Sequence, residues 1–209
     1  MAVAEVDYLN GGGTPQPIDY SFLPSSNKAN VLASSDYTKL LNEGNINLLC
    51  TSTSSAKAYV DLSAANTDVT AYMYGKALNI PSADALFFSV ASALTGGNAP
   101  AFFIRSNVPY MTVWANDVAL TGTSTTDYHL YALSCNQTSK KIRFYVDGTY
   151  KGELPFSNSG AQVVYGRSLV SNNGDVGLNY EIDYIGCVAE CESDATIIAN
   201  MQAIMSKMS

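Results

Sequence analysis

The sequence predicts an all-β protein, a two-sheet antiparallel jelly-roll sandwich closed by a short C-terminal helix. Three observations lead there. Short β-rich runs recur with turn residues roughly every 8–12 positions and no helical pattern between them, which favours two packed antiparallel sheets over a parallel α/β sheet. Ile142, Phe144 and Val146 alternate with Arg143, Tyr145 and Asp147, the period of a half-buried strand, and Asp147-Gly148 follows directly. Asp-Gly between two β-rich runs marks a tight hairpin, because both central residues of a type I′ turn need positive φ. Finally, Ile197, Met201, Ile204, Met205 and Met208 fall at helical spacing and give one apolar stripe.

In chain order, residues 1–30 form an N-terminal arm and residues 31–209 the sandwich domain. The arm contains Gly11-Gly12-Gly13-Thr14-Pro15-Gln16-Pro17, which suits neither a helix nor a central strand. It also carries Tyr8, Tyr20 and Phe22, rings that would be wasted on a free tail. Either the arm lies across its own sandwich, or it docks on a neighbouring subunit or larger assembly. Residues 35–42 are expected to make one helical turn, with Ser35 as cap and Gly44 as stop. Strands are expected over 46–51, 58–62, 69–78, 84–94, 101–105, 110–114 and 118–120, with Asn116-Asp117 as the turn before the last. Residues 84–94 are apolar on both faces, as a central strand should be. Further strands are expected at 128–135, 142–146, 149–154, 162–165 and 180–189, with Asn136 to Lys140 as a polar turn. Ser193 caps the final helix, and Asp194 sits in its first turn.

The run from Tyr128 to Phe156 carries a family resemblance. Tyr128-His129-Leu130-Tyr131-Ala132, followed by the hairpin Phe144-Tyr145-Val146-Asp147-Gly148, resembles the laminin-G-like, concanavalin A-like sandwich family over residues 55–205. The resemblance implies the fold. It implies no activity, because sandwiches of this kind host many functions.

Composition narrows the partners. At 209 residues, roughly 70% of the unfolded chain's surface can be buried, so no metal or disulfide staple is required. Only 14% of residues are charged, against about 25% in a typical globular protein, so the surface is neutral and polar. A net charge of −7 argues against nucleic acid or an anionic membrane as partner. The start lacks a basic stretch followed by an apolar one, so synthesis in the cytosol is the expectation. Cys187-X3-Cys191 has half of a zinc spacing, but Cys50 and Cys135 are isolated and His129 is the single histidine. Reduced thiols, no metal and no cofactor are expected.

Catalytic constellations fit poorly. Any nucleophilic triad must use His129, which the resemblance places inside a sandwich strand, packed or hydrogen-bonded. Glu181 and Asp183 have the spacing of a glycanase motif, Glu-X-Asp, in which alternation turns both carboxylates to one face. The closing Glu is missing, since Ile185, Gly186 and Cys187 occupy its possible places. Sugar binding is better supplied. Fourteen tyrosines and the single Trp114 offer rings for stacking, and Trp114, Asn116 and Asp117, with Tyr110, put rings beside polar side chains near a turn. Neither Asn116-Asp117 nor residues 172–175 match a calcium-loop spacing.

The expectation is therefore a non-catalytic structural, assembly or binding module that resembles an accessory protein of a bacteriophage virion. Such a decoration, head-fibre or tail protein would be made in the host cytoplasm, would attach through Tyr8, Tyr20 and Phe22 to virion proteins or to itself as a homo-oligomer, and could touch glycans. A carbohydrate-binding lectin module, which would work outside cells, is the alternative. A glycan hydrolase with a degenerate site is the third reading.

Overall fold

A computed structural model of the chain describes residues 37–42, 45–50, 57–79, 84–91, 100–113, 116–157, 163–171 and 180–208. The arm with Tyr8, Tyr20 and Phe22 lies outside the described residues, as do Trp114 and Ala115. Two antiparallel sheets make up the domain. One has seven strands in the order β1 (Tyr37–Asn42), β2 (Asn45–Cys50), β13 (Tyr180–Val188), β4 (Val69–Ala77), β9 (His129–Asn136), β10 (Lys141–Val146) and β11 (Thr149–Pro155). The other has six, in the order β3 (Lys57–Ala65), β12 (Val164–Ser171), β5 (Ala85–Ala91), β6 (Ala101–Arg105), β7 (Val108–Val113) and β8 (Asn116–Ala119). Among the described residues one helix, α1 (Asp194–Met208), follows β13.

The core lies between the sheets, where alternation sends every second side chain inward. Phe102 of β6 sits at its centre. Its ring meets Tyr131 and Phe144 edge-on, at centroid distances of 5.0 and 5.3 Å, and lies parallel to Phe88 at 6.2 Å. Such pairs add about 0.5–1.5 kcal/mol each beyond the area they bury. All seven residues of β5 are buried, as its apolar sequence requires. The Asp147-Gly148 hairpin has φ of 50° and 73° and joins Val146 to Thr149, the turn the sequence specifies.

Two expectations fail. Residues 37–42 form strand β1 rather than a helical turn, pairing with β2 along its whole length from Tyr37↔Cys50 to Asn42↔Asn45. A six-residue ladder that extends the sheet outweighs the slight helix preference of so short a segment. Asn116 and Asp117 begin strand β8 instead of forming a turn. Val113 pairs directly with Asn116, which leaves residues 114 and 115 as the connection.

The helix covers the outer face of the seven-stranded sheet. Ile197, Met201 and Ile204 are fully buried, as the apolar stripe predicts. Ser193 caps the helix, its Oγ accepting from the Thr196 backbone N–H at 3.2 Å. Polar contacts fix the helix in place. Glu192 is only 4% exposed. Its carboxylate accepts from the Tyr72 hydroxyl and, at 2.9 Å, from Asn200 Nδ2. Arg143 pairs with Asp194 and donates to the Glu192 backbone carbonyl, while Tyr145 donates to Asp194 at 2.7 Å.

Candidate functional site

The outer face of the six-stranded sheet carries a second apolar cluster, in which Leu86, Ala91, Ala101 and Phe103 are buried and Tyr110 packs against them, and an exposed polar rim beside it makes the candidate site. Its architecture starts with the β6–β7 hairpin, where Ser106 and Asn107 both have positive φ, 48° and 64°. That tight turn sets Phe103 directly opposite Tyr110 and Arg105 opposite Val108. The Phe103 and Tyr110 rings stack at 4.9 Å with 21° between their planes. The Arg105 guanidinium caps both, 4.9 Å from the Phe103 centroid and 5.0 Å from that of Tyr110.

Two carboxylates hold the guanidinium. Arg105 donates from Nε to Asp84 Oδ1 at 2.9 Å and from Nη2 to Asp84 Oδ2 at 2.5 Å, a two-pronged pair, and from Nη2 to Asp117 Oδ2 at 3.2 Å. Thr112, directly opposite Asp117 on β7, donates its hydroxyl to Asp117 Oδ1 at 2.7 Å. The hydrogen bonds from Arg105 hold the Asp84 carboxyl below the usual range, and the same pairing raises Arg105. A rung of one cation and two anions thus runs from Asp84, just before β5, through Arg105 on β6 to Asp117 on β8, beside a stacked aromatic pair.

Of the residues singled out by sequence, Tyr110 and Asp117 come together on this face. Asn116 is exposed but has the opposite strand parity, so it does not join them. Phe103, Arg105, Asp84 and Thr112 were not anticipated. A signal existed for two of them, since Phe103 and Arg105 alternate with Phe102 and Ile104 on one short strand.

On this face the carboxylates are tied to Arg105 and Thr112 rather than paired with each other as an acid and a base. Retaining glycoside cleavage needs two carboxyl groups about 5–5.5 Å apart, one of them protonated near neutral pH. Here Arg105 keeps Asp84 ionised. The Glu181–Asp183 motif meets a different obstacle. The pairing of β13 with β4 shifts between Ile182↔Gly75 and Tyr184↔Tyr74, so Asp183 is the extra residue of a bulge and the strict alternation the motif relies on is interrupted. At Gly186, one of the places a closing Glu could stand, an added side chain would run into the Tyr184 ring.

His129 is engaged structurally. Its Nδ1 lies 2.6 Å from Asp147 Oδ2, and Asp147 Oδ1 accepts from the Leu130 backbone N–H at 2.9 Å, which ties the hairpin turn to β9. His129 Nε2 is buried with no hydrogen-bond partner among the described residues, so no nucleophile stands where a triad would place one. Cys135 and Cys187 are buried free thiols, and burial pushes the Cys135 thiol up. Cys191 is half-buried, with Sγ 3.1 Å from Arg143 Nη2. Among the described residues no group of three or more His, Cys, Asp or Glu is placed to hold a metal, and no helix is long and apolar enough to cross a membrane.

The fold defines the class, a two-sheet antiparallel jelly-roll sandwich with a helix on one face. Similar solved structures include the binding domain of botulinum neurotoxin serotype D, with a TM-score of 0.59 at 12% identity, covering 90% of this chain and 49% of that one. The binding domain of botulinum neurotoxin DC in complex with SialylT gives 0.58 at 12%, again over 90% and 49%. A botulinum neurotoxin type C structure, described under cell entry dependent upon interaction with two ganglioside molecules, gives 0.61 at 10% over the same shares. This chain spans about half the length of those it matches, and at such identity the likeness establishes the fold alone. No protein-family model matches the chain, and no curated protein matches it.

Proposed function

We propose that this chain is a carbohydrate-binding module without catalytic activity and that it engages glycans through the β6–β7–β8 face. The observation that carries the reading is the Phe103–Tyr110 stack capped by Arg105 and flanked by Asp117 and Thr112, on the sheet face that α1 does not cover. A saccharide presents apolar C–H faces to rings and hydroxyls to paired donors and acceptors; here half-buried Tyr110 supplies the ring, backed by buried Phe103, and Arg105, Asp117 and Thr112 supply the polar groups. The similar structures described with SialylT and with ganglioside molecules support a glycan as partner. The test is a glycan array followed by calorimetry on the strongest hit. Tyr110→Ala and Arg105→Met are each expected to weaken binding at least tenfold with circular dichroism unchanged. Undiminished binding in both variants, or a blank array, would overturn the reading. Reducing-end release from a β-glucan panel that vanishes in Glu181→Gln would overturn the non-enzyme part.

A second reading has one observation in its favour, the 14% charged content. So neutral a surface suits permanent assembly, and an accessory role in a virion, with residues 1–30 as the attachment and the host cytoplasm as the place of synthesis, accommodates it. Deleting residues 1–30 would then abolish co-sedimentation with particles. Unchanged co-sedimentation would remove the arm from the account.

A further inference from the structure

Among the described residues β11 ends the seven-stranded sheet and β8 ends the six-stranded one, and the two edges are treated differently. Strand β11 is blunted. Its pairing with β10 shifts between Phe144 and Tyr145, Gly152 has a φ of 143°, and Lys151, Glu153 and Pro155 occupy the edge. These are the features that discourage strand-to-strand association. Strand β8, at the end of the six-stranded sheet among the described residues, is short but has no bulge, no proline and no cation. All four of its residues are exposed, it contains no Lys, Arg, Pro or Gly, and its one charge, Asp117, is turned back onto Arg105 and Thr112. Val118 is 42% exposed, a large apolar side chain at an open edge.

The register of β8 indicates what would cover it. Val113 pairs with Asn116, and the Leu120 N–H donates to the Pro109 carbonyl at 2.9 Å. By the antiparallel alternation, Asn116, Val118 and Leu120 direct their backbone groups toward β7, whereas Asp117 and Ala119 direct theirs outward. A second β8, related by a two-fold axis perpendicular to the sheet at Val118, matches this pattern. Asp117 of each copy then faces Ala119 of the other as a hydrogen-bonded pair, and the two Val118 side chains meet as a close non-hydrogen-bonded pair. Shifting the axis to Asp117 would set two aspartates opposite each other, and shifting it to Ala119 would leave both Asp117 backbones unmatched.

We infer that β8 is a self-association edge through which two copies of this chain join about a two-fold axis at Val118. A four-residue edge buries less than the ~1,000 Å² typical of stable interfaces, so the dimer forms and dissociates with concentration. The axis leaves both β6–β8 faces on the same side, as a multivalent ligand would require. The inference stands on the edge and its register, independently of what those faces bind.

Sedimentation equilibrium over a wide concentration range tests it. The full chain is expected to show a reversible monomer–dimer transition. Val118→Lys, which sets two ammonium groups across the axis, and Ala119→Pro, which removes an outward N–H, are each expected to weaken the dimer at least tenfold, whereas Tyr150→Lys on β11 leaves it unchanged. As a variant that keeps the edge intact, Val118→Cys should form an intermolecular disulfide under mild oxidation, because Cα atoms of such a pair stand about 4.5 Å apart, within disulfide reach. A monomer at every concentration, a dimer indifferent to Val118→Lys, or cross-linking of Val118→Cys no faster than that of Tyr150→Cys would each overturn the assignment.

Discussion

On the outer face of the seven-stranded sheet, Tyr72, Thr70 and Ser134 lie under α1 and the segment that leads into it. On the outer face of the six-stranded sheet, Arg105 and Asp84 stand 41% and 52% exposed over a ring stack. Both faces come from the same two-residue alternation, and both carry aromatic rings beside ionisable groups. What separates them is where the polar groups find partners. Beneath α1, the Glu192 carboxylate is joined to Tyr72 and Asn200 in a dry space, where an unmet hydrogen bond carries the full desolvation cost. Around Arg105, water can take over any contact that is lost. One network is therefore locked into the fold, whereas the Arg105 rim, beside a buried apolar cluster, keeps its contacts open to solvent.

Substitutions can break that contrast. The largest expected effect is Met201→Ala in the buried helix stripe, about 2–5 kcal/mol of stability by denaturant unfolding, since a cavity opens where the helix meets the sheet. A loss below about 1 kcal/mol would mean that the helix is not an integral layer. Next comes Glu192→Ala, expected to cost about 1–3 kcal/mol because the Tyr72 hydroxyl and Asn200 amide lose a buried acceptor. Glu192→Gln should recover part of it.

Alkaline unfolding sharpens the comparison further. The Tyr72 hydroxyl is pushed far above its ordinary value, first by burial and then by the Glu192 carboxylate, and Tyr145 is raised by burial and by its bond to Asp194. A folded-state value above the unfolded one contributes stability that is complete below about pH 10 and declines as pH rises past it. Stability should therefore fall above that pH, and Tyr72→Phe should make the fall shallower. The smallest effects belong to the open face. Arg105→Met is expected to change stability by no more than about 1 kcal/mol, as exposed ion pairs do, while weakening the proposed glycan binding at least tenfold. For Asp84 the sign is opposite to that of the tyrosines. Its lowered value contributes stability present above about pH 4 and lost as pH falls, so Asp84→Asn should slightly flatten the acid limb of a thermal unfolding profile.

What could be read in the sequence was local. Asp147-Gly148 fixes its own turn type, β5 declares burial on both faces, and the Ile197–Met201–Ile204 spacing anticipates the buried side of α1. Elements that depend on distant partners were harder to place. Residues 37–42 look weakly helical until a strand is available beside them. The bulge at Asp183 arises from how β13 registers on β4, which no feature of Glu181-Ile182-Asp183 announces. The candidate site was half visible, through Tyr110 and Asp117. The half that was missed, Arg105 and Asp84, lies 21 positions apart in the chain and meets only because β5 and β6 are neighbours.

Residues 194–208 are also the last described segment to leave the ribosome. Every strand of the seven-stranded sheet precedes Ile197, Met201 and Ile204 in the chain, so the outer surface of that sheet stays unshielded until the helix docks. A chain carrying Ile197→Asp and Met201→Asp, whose helix cannot dock, should thus be protease-sensitive and chaperone-bound, whereas the unaltered chain is neither.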